Sequence, residues 1–198
     1  MKLRILATVL LLAPSFFATP IKAQTLQLVA QLTTTRQCTK CELNGLNLGR
    51  FNLAGVNLSN ANLNGADLNH ADLMNSFLIS ASLNSANLTR ANLNNASLSG
   101  ASLTKANLRL ASLRGASLSG ASLSDANLSG AGLRGADLTY ADLTGANLDG
   151  AELVSANLQN ANLTGASVTD TNMKNVLLCN TTMPDKKVSN RDCSKVKS

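Results

Sequence analysis

A five-residue pattern, seen for example from Ala61 to Gly65 as ANLNG, repeats through most of the chain. With Leu taken as the central position, the phase runs from residue 41 to residue 185 without insertion or deletion, giving 29 pentapeptides. The central position is Leu in all but three repeats, and Ala usually stands two residues earlier. A period of five matches neither the 3.6 of a helix nor the 2 of a strand. The chain must therefore turn once in every repeat.

The residue types within the repeat indicate how such a chain closes on itself. Leu and the Ala two positions before it lie on one side of a short extended segment, so both can face inward. The two residues after Leu are mostly Gly, Asn, Ser and Asp, which favour turns, and 11 of the 13 glycines take the last position. Four turns would close one coil of four pentapeptides, and coils would stack about 4.8 Å apart. The repeat thus predicts about seven coils around a Leu and Ala core.

At these residues the chain resembles the pentapeptide-repeat family, whose members repeat the motif A-(N/D)-L-x-x. The resemblance covers residues 41–185 and implies an all-β fold, a right-handed quadrilateral parallel β-helix. At both ends of the repeat, larger or polar residues replace the inward Ala, and we expect them to close the solenoid against edge pairing. These residues are Cys41, Leu46, Phe51 and Val56 at the start and Thr171, Val176 and Thr181 at the end.

The segments that flank the repeat predict a processed and capped protein. A short basic segment, an apolar run and a small residue at position 23 are typical of a secretory signal peptide, predicted over residues 1–23. The apolar run is shorter than the roughly 20 residues that a membrane-spanning helix needs. We expect no stable membrane insertion after cleavage. Residues 24–40 are predicted to form an N-terminal cap with a short amphipathic helix, and residues 186–198 a basic tail.

Composition argues against enzymatic chemistry. The chain has one His, no Trp and only 14% charged residues, whereas an active site needs several titratable groups that converge. His70 falls at a turn position, and Asp67 and Asp72 occupy the polar position before Leu, where Asn, Ser and Asp recur. A core of Leu and Ala leaves no ligand cavity of the usual size. We therefore expect no catalytic residues, no cofactor and no metal site.

The net charge of +6 comes from the two ends of the chain. Residues 41–185 contain seven basic and ten acidic side chains, so the repeat itself is slightly acidic. A basic stripe on one face is the electrostatic mark of a nucleic-acid-binding protein. The distribution along this sequence argues against a nucleic-acid partner.

The four cysteines predict disulfide bonds, since export leads to an oxidising compartment. A disulfide requires Cα atoms within about 7 Å, and about seven coils separate the N-terminal cysteines from the C-terminal ones. The predicted pairs are therefore Cys38–Cys41 and Cys179–Cys193. Cys38 and Cys41 also form a C-x-x-C motif. A redox-active pair and a metal site are therefore alternatives to a structural disulfide bond. The motif lacks the helix N-terminus that lowers a thiol pKa, and two Cys do not supply the four ligands of a zinc site.

Function is expected on the outer surface, where side chains follow a polar rule. Met74, Phe77 and Ile79 break that rule close together and form a candidate partner-binding patch. Arg114 and Arg134 take equivalent positions of consecutive predicted coils, in one column of outward residues, and form a second candidate. The predicted function is a non-enzymatic exported scaffold with an unidentified protein partner.

Two other functions and a location also follow from the sequence. One alternative is a thiol-redox protein that uses Cys38 and Cys41. A less favoured one is a DNA-mimic gyrase-binding protein like the quinolone-resistance members of the family, because the repeat is only slightly acidic. The signal peptide, the N-terminal Cys pair and the ending LCNTTMPD, residues 178–185, resemble exported cyanobacterial members of the family. That resemblance implies the periplasm or the thylakoid lumen.

Overall fold

The computed structural model describes residues 28–30 and 32–196, so the predicted signal peptide over residues 1–23 lies outside the described residues. Residues 28–30 and 32–34 are helical. Leu32 is fully buried, and Leu28 and Val29 are partly buried against the core. This short helix thus lays apolar side chains against the first coil.

Each pentapeptide contains one extended position and one tight turn. The residue before the central Leu forms a β-bridge, and the two residues after Leu form the turn. The backbone N–H of Ala61, which begins the next repeat, donates to the carbonyl oxygen of Leu58 over 3.0 Å. Asn60, at the last position of the turn, has a φ of 59°. A positive φ only at the second central residue defines a type II turn, and this explains why Gly and Asn are frequent there.

The extended positions pair in parallel with the extended positions four pentapeptides further along. Asn62, for example, bridges to Ser82, whose carbonyl oxygen accepts from the N–H of Leu63 over 2.7 Å. The N–H of Ser82 donates back to the carbonyl oxygen of Ala61 over 2.9 Å. One coil therefore consists of four pentapeptides and contains four turns. The bridges form four ladders, numbered by their first residues: Gln37 for ladder 1, Glu42 for ladder 2, Asn47 for ladder 3 and Asn52 for ladder 4.

The core is a continuous column of Leu and Ala side chains. The central Leu residues from Leu43 to Leu163 are 0% exposed, and the Ala residues two positions earlier are at most 1% exposed from Ala61 to Ala161. Each fully buried Leu contributes about 1.5–3 kcal/mol relative to an exposed one. The small Ala lets neighbouring ladders approach, so that Leu alone can fill the interior.

The first coil begins five residues before the first pentapeptide that the sequence pattern delimited. Residues 36–40 belong to the solenoid rather than to the cap, because Gln37 bridges to Asn57. Cys38 takes the central position and is 1% exposed. A pattern based on Leu stops at residue 41, since it does not accept the smaller Cys in the core position.

The C-terminal segment folds back over the last coil instead of extending as a tail. Strand β1, Thr181–Thr182, pairs antiparallel with strand β2, Val188–Ser189. A 3-10 helix, Cys193–Val196, follows. The N–H of Leu178 donates to Asp192 Oδ2 over 3.2 Å, and Asp192 is 2% exposed. Polar groups of the tail thereby bind backbone groups that would otherwise pair with a further coil.

The substituted inward positions at the two ends fill different roles. Val56 and Val176 are buried, whereas Cys41, Leu46 and Phe51 are partly buried against the core. At the C-terminal end, the hydroxyls of Thr171 and Thr181 donate to the carbonyl oxygens of Leu148 and Leu158 over 2.8 Å and 2.7 Å. A Thr in this position therefore adds a hydrogen bond to its packing.

Candidate interaction surface

Most outward polar side chains support the coil rather than form a reactive site. The side chain of Asn57 accepts from the N–H of Ser59 over 3.0 Å, and Asn127 makes the same contact with Ser129. Along a ladder, Asn87 Nδ2 donates to Asp67 Oδ1 over 2.9 Å. These bonds explain why the position before Leu favours Asn and Asp.

Asp67 and Asp72 do not form a pair of catalytic carboxylates. They lie on different ladders, and each accepts a hydrogen bond from an Asn one coil later. A hydrogen bond from the side chain of Asn69 lowers the pKa of Asp67. Burial opposes this effect, and hydrogen bonds from the Asn69 backbone N–H and the Asn87 side chain add to it. His70 is an exposed turn residue with a φ of 55°, and its Nδ1 lies 3.1 Å from Asn69 Oδ1.

Asp142 shows the same structural use of a carboxylate. Burial raises the pKa of Asp142, but hydrogen bonds from the hydroxyls of Thr144 and Ser124 and from the Thr144 N–H outweigh it, so the pKa lies below its ordinary value. The two hydroxyl contacts measure 2.6 Å and 2.7 Å. The carboxylate is an acceptor within the wall and has no free proton to donate at neutral pH.

Within the described part of the chain, no group of three or more His, Cys, Asp or Glu side chains could hold a metal ion. None of the helices in that part is both long and apolar enough to cross a bilayer. An open apolar pocket of about 560 Å³ lies at the C-terminal end of the solenoid. Its lining includes Val168, Met183 and Val188, with the exposed ion pair of Lys187 Nζ and Asp185 Oδ2, 2.7 Å apart, at its edge.

The cysteines lie in two separate pairs at opposite ends of the solenoid. The structure joins Cys38 to Cys41, whose Cα atoms are 5.3 Å apart, and Cys179 to Cys193, whose Cα atoms are 4.7 Å apart. Cys38 is buried in the core. The first pair therefore closes a turn at the beginning of the first coil, and the second attaches the returning tail to the last coil.

Met74, Phe77 and Ile79 are exposed apolar residues around ladder 1, which we call the Met74 patch: Met74 lies in the turn before the ladder, Phe77 on it and Ile79 in the turn after it. Their exposed fractions are 38%, 46% and 43%. Ser76 directly follows the turn that holds Met74 and is fully buried at a position that is usually Ala. Its hydroxyl oxygen has no hydrogen-bond partner within the described residues. The patch thus combines exposed apolar area with a buried polar group that has no partner there.

Arg114 and Arg134 lie at equivalent turn positions of consecutive coils, and both are exposed. Ion pairs within the described ranges join Lys187 to Asp185 and Arg191 to Asp192, so neither arginine forms one there. Leu110, at the turn between ladders 3 and 4, is 40% exposed and is not among the candidate residues that the sequence pattern predicts. The available indication was a bulky residue at the turn position that Gly most often occupies.

The stacked parallel coils, with one turn in every pentapeptide, define a β-solenoid. A family model described as pentapeptide repeats matches residues 41–78, 81–120, 106–142, 116–153 and 141–183, with eight copies. The chain belongs to the pentapeptide-repeat family, and its fold is a right-handed β-helix. No match to this chain was found among curated proteins.

Solved structures of pentapeptide-repeat proteins are similar to this chain. HetL, a protein involved in heterocyst differentiation regulation from the cyanobacterium Nostoc sp. strain PCC 7120, is 33% identical, with 77% of this chain and 83% of HetL covered and a TM-score of 0.40. Rfr23 from the cyanobacterium Cyanothece 51142 is 30% identical, with coverages of 77% and 93% and a TM-score of 0.41. QnrB1, a plasmid-mediated fluoroquinolone resistance protein, is 22% identical, with coverages of 70% and 77% and a TM-score of 0.50. This last similarity concerns the fold alone.

Proposed function

We propose that this protein is an exported, non-enzymatic scaffold that binds a protein partner on its outer surface. The Met74 patch carries the proposal, because three large apolar side chains are exposed together on a surface that is mostly polar. Ser76 adds to it, since a buried hydroxyl without a partner among the described residues calls for an explanation, and such violations accompany functional sites.

The shape that we propose for the scaffold is a four-sided rod of about seven coils. Four ladders, with one turn between each ladder and the next, support a quadrilateral cross-section. The short helix over residues 28–30 and 32–34 and the returning C-terminal segment act as end caps. A rod held by a continuous ladder of backbone hydrogen bonds presents fixed walls, so a partner would dock without a large ordering cost.

We further propose that the chain is exported by a signal peptide over residues 1–23 to the periplasm or the thylakoid lumen. Two cysteine pairs at bonding distance fit an oxidising compartment. A thiol-redox role is disfavoured because Cys38 is 1% exposed and Cys41 is partly buried, and thiol exchange requires access to a sulfur. A DNA-mimic role is disfavoured by exposed arginines such as Arg114 and Arg134, since DNA presents phosphate charge throughout.

Quantitative partner capture tests the proposed function. The purified protein is coupled to a support, exposed to the soluble lumenal or periplasmic fraction of its source, and the retained proteins are quantified by mass spectrometry. A triple variant, Met74→Asn, Phe77→Ser and Ile79→Ser, should retain the fold because none of these side chains contributes to the core. It should lose most of the captured partner, since a few apolar anchors often dominate binding free energy.

A matched control uses the same three columns four coils later, where Val154→Asn, Asn157→Ser and Gln159→Ser alter positions of equivalent geometry. Capture by this control should equal that of the wild type. Equal capture by the wild type and the Met74 patch variant would remove the support for the patch as a docking site. Circular dichroism and melting curves of both variants show whether the solenoid remains intact.

A further inference from the structure

A cluster of arginines lies on ladders 3 and 4 in the middle of the solenoid. The pentapeptides of these two ladders between residues 86 and 135 contain four arginines and no Asp or Glu. The coils before and after them carry carboxylates on the same ladders, including Asp67 and Glu152. This surface is therefore cationic within a repeat that is slightly acidic as a whole. The four exposed arginines are Arg90, Arg109, Arg114 and Arg134.

Leu110 is a bulky apolar residue at the turn after ladder 3, directly after Arg109. It holds the last turn position with a φ of 59°, where a bulky side chain is an outlier, and it remains 40% exposed. The same position in the next coil is Gly130, where an added Cβ would lie 2.8 Å from Leu110 Cδ2. Gly130 thus leaves the space that the Leu110 side chain occupies. An exposed aliphatic side chain at a turn position that Gly most often occupies, beside arginines, makes Leu110 a candidate for contact with a partner.

The face formed by ladder 4 carries short side chains between the turn that holds Leu110 and the turn that holds Arg114. On ladder 4, the outward side chains between these turns are Asn92 and Ser112, and Gly132 has none. An added Cβ at Gly132 would meet only Ser112 Oγ, at 4.0 Å, and Gly132 does not have a positive φ. Neither crowding nor backbone conformation therefore requires Gly there. Three coils at about 4.8 Å spacing give a floor on the order of 10 Å long, enough for about three residues of extended peptide.

We propose that this surface binds an acidic peptide segment that carries an apolar side chain. The Leu110 surface consists of Arg90, Arg109, Leu110, Arg114 and Arg134. This inference rests on the proposed function, since it takes the partner to be a protein. It adds the chemistry of the segment that docks. The arginines form no ion pair within the described residues, so carboxylates would give them charge-assisted hydrogen bonds. Leu110 between the charged groups supplies an apolar contact.

A nucleic-acid strand fits the Leu110 surface less well. Proteins that bind single strands pair cations with aromatic side chains on which the bases stack. The exposed aromatic side chains of the described residues are Phe77, on ladder 1, and Tyr140, at the turn after ladder 1, so neither lies on ladder 4. Leu110 offers an apolar contact but no stacking surface. The combination of arginines with one aliphatic group therefore favours a peptide.

Fluorescence anisotropy with defined peptides tests this proposal on the purified protein. The probes are a labelled Asp and Glu peptide with one central Leu, the same peptide with Ser in place of Leu, a Lys analogue, and a short single-stranded DNA. We expect the Leu peptide to bind with an affinity that falls as salt is added. Leu110→Gly should weaken this binding by about fivefold to tenfold but should hardly affect the Ser peptide. Arg114→Asn with Arg134→Asn should weaken both peptides by about tenfold.

Matched controls separate this surface from general effects of charge and backbone. Tyr140→Gly removes another bulky turn residue with a φ of 59° away from ladder 4, and Lys40→Asn with Lys105→Asn removes the same net charge elsewhere. Both should bind within about twofold of the wild type. Equal binding by the wild type and Leu110→Gly would overturn the proposal, as would tighter binding of the single-stranded DNA than of the Leu peptide.

The Met74 patch variant distinguishes failure of this inference from failure of the scaffold function. In the peptide titration, the variant should behave as the wild type, because its three substitutions lie outside the Leu110 surface. Suppose that Leu110→Gly binds the Leu peptide as tightly as the wild type does, while the Met74 patch variant loses the captured partner. That result would overturn the Leu110 surface alone. Partner capture that is insensitive to both surfaces would overturn the scaffold function as well.

Discussion

Replacing Ser76 by Ala should stabilise the protein, which is unusual for a fully buried residue. Ser76 is 0% exposed, and its hydroxyl oxygen has no hydrogen-bond partner within the described residues. An unsatisfied buried polar group costs about 1–3 kcal/mol. Ala is the usual residue at this inward position, so the substitution removes the hydroxyl without leaving a large cavity. We expect the free energy of unfolding to rise by about 1–2 kcal/mol.

Differential scanning calorimetry and urea denaturation measure this change. For a chain of this size, about 1–2 kcal/mol corresponds to an increase in Tm of about 2–8 °C. The reciprocal variant Ala96→Ser, in the same column one coil later, should lower the Tm by a similar amount because it buries a new hydroxyl. An unchanged or lower Tm for Ser76→Ala would refute the reasoning, since it would mean that the hydroxyl makes a stabilising contact.

Three further predictions concern stability. Leu113→Lys should unfold the solenoid, because it buries an unpaired charge at a cost of several kcal/mol. Asn107→Lys, on the outer wall, should leave the melting temperature nearly unchanged. Equal melting curves for the two variants would contradict the assignment of Leu113 to the core and Asn107 to the surface. Reduction of Cys179–Cys193 should destabilise the C-terminal cap by about 3 kcal/mol, measured as faster proteolysis of the tail. The pKa of Asp142 is lower in the folded protein than in the unfolded chain. The Asp142 carboxylate therefore stabilises the fold above its unfolded pKa of about 4, and this stabilisation is lost as the pH falls through the folded pKa. Asp142→Asn should reduce the dependence of the Tm on acid pH.

The interior of this protein could be predicted from its sequence because one rule governs every coil. Inward Leu and Ala and a turn after each Leu determine both the five-residue unit and the stacking of one coil on the next, as the pairing of Asn62 with Ser82 illustrates. The rule failed where the chemistry of a position changed. Cys38 fills a Leu position and extends the solenoid to residue 36.

The C-terminal closure depends on contacts that the sequence pattern does not encode. Asp192 is buried by accepting from the N–H of Leu178 and from Arg191 Nε, the latter over 2.8 Å. From sequence, Arg191 and Asp192 belong to a basic tail with no periodicity. Their pairing arises because the last coil leaves backbone groups that must find partners. Only the three-dimensional position of the tail shows which residues supply them.

The outward positions of this fold vary more than the inward Leu and Ala, and their exceptions to the polar pattern are therefore informative. Outward Asn and Asp side chains accept from neighbouring backbone N–H groups, and outward Ser and Thr hydroxyls bond to neighbouring side chains, so a residue that does so needs no other explanation. Phe77 and Leu110 do not serve in this way: Phe77 lies on ladder 1 where Asn and Ser recur, and Leu110 holds a turn position that Gly most often occupies. Neither side chain belongs to the buried core, so both are candidates for contact with a partner outside the solenoid.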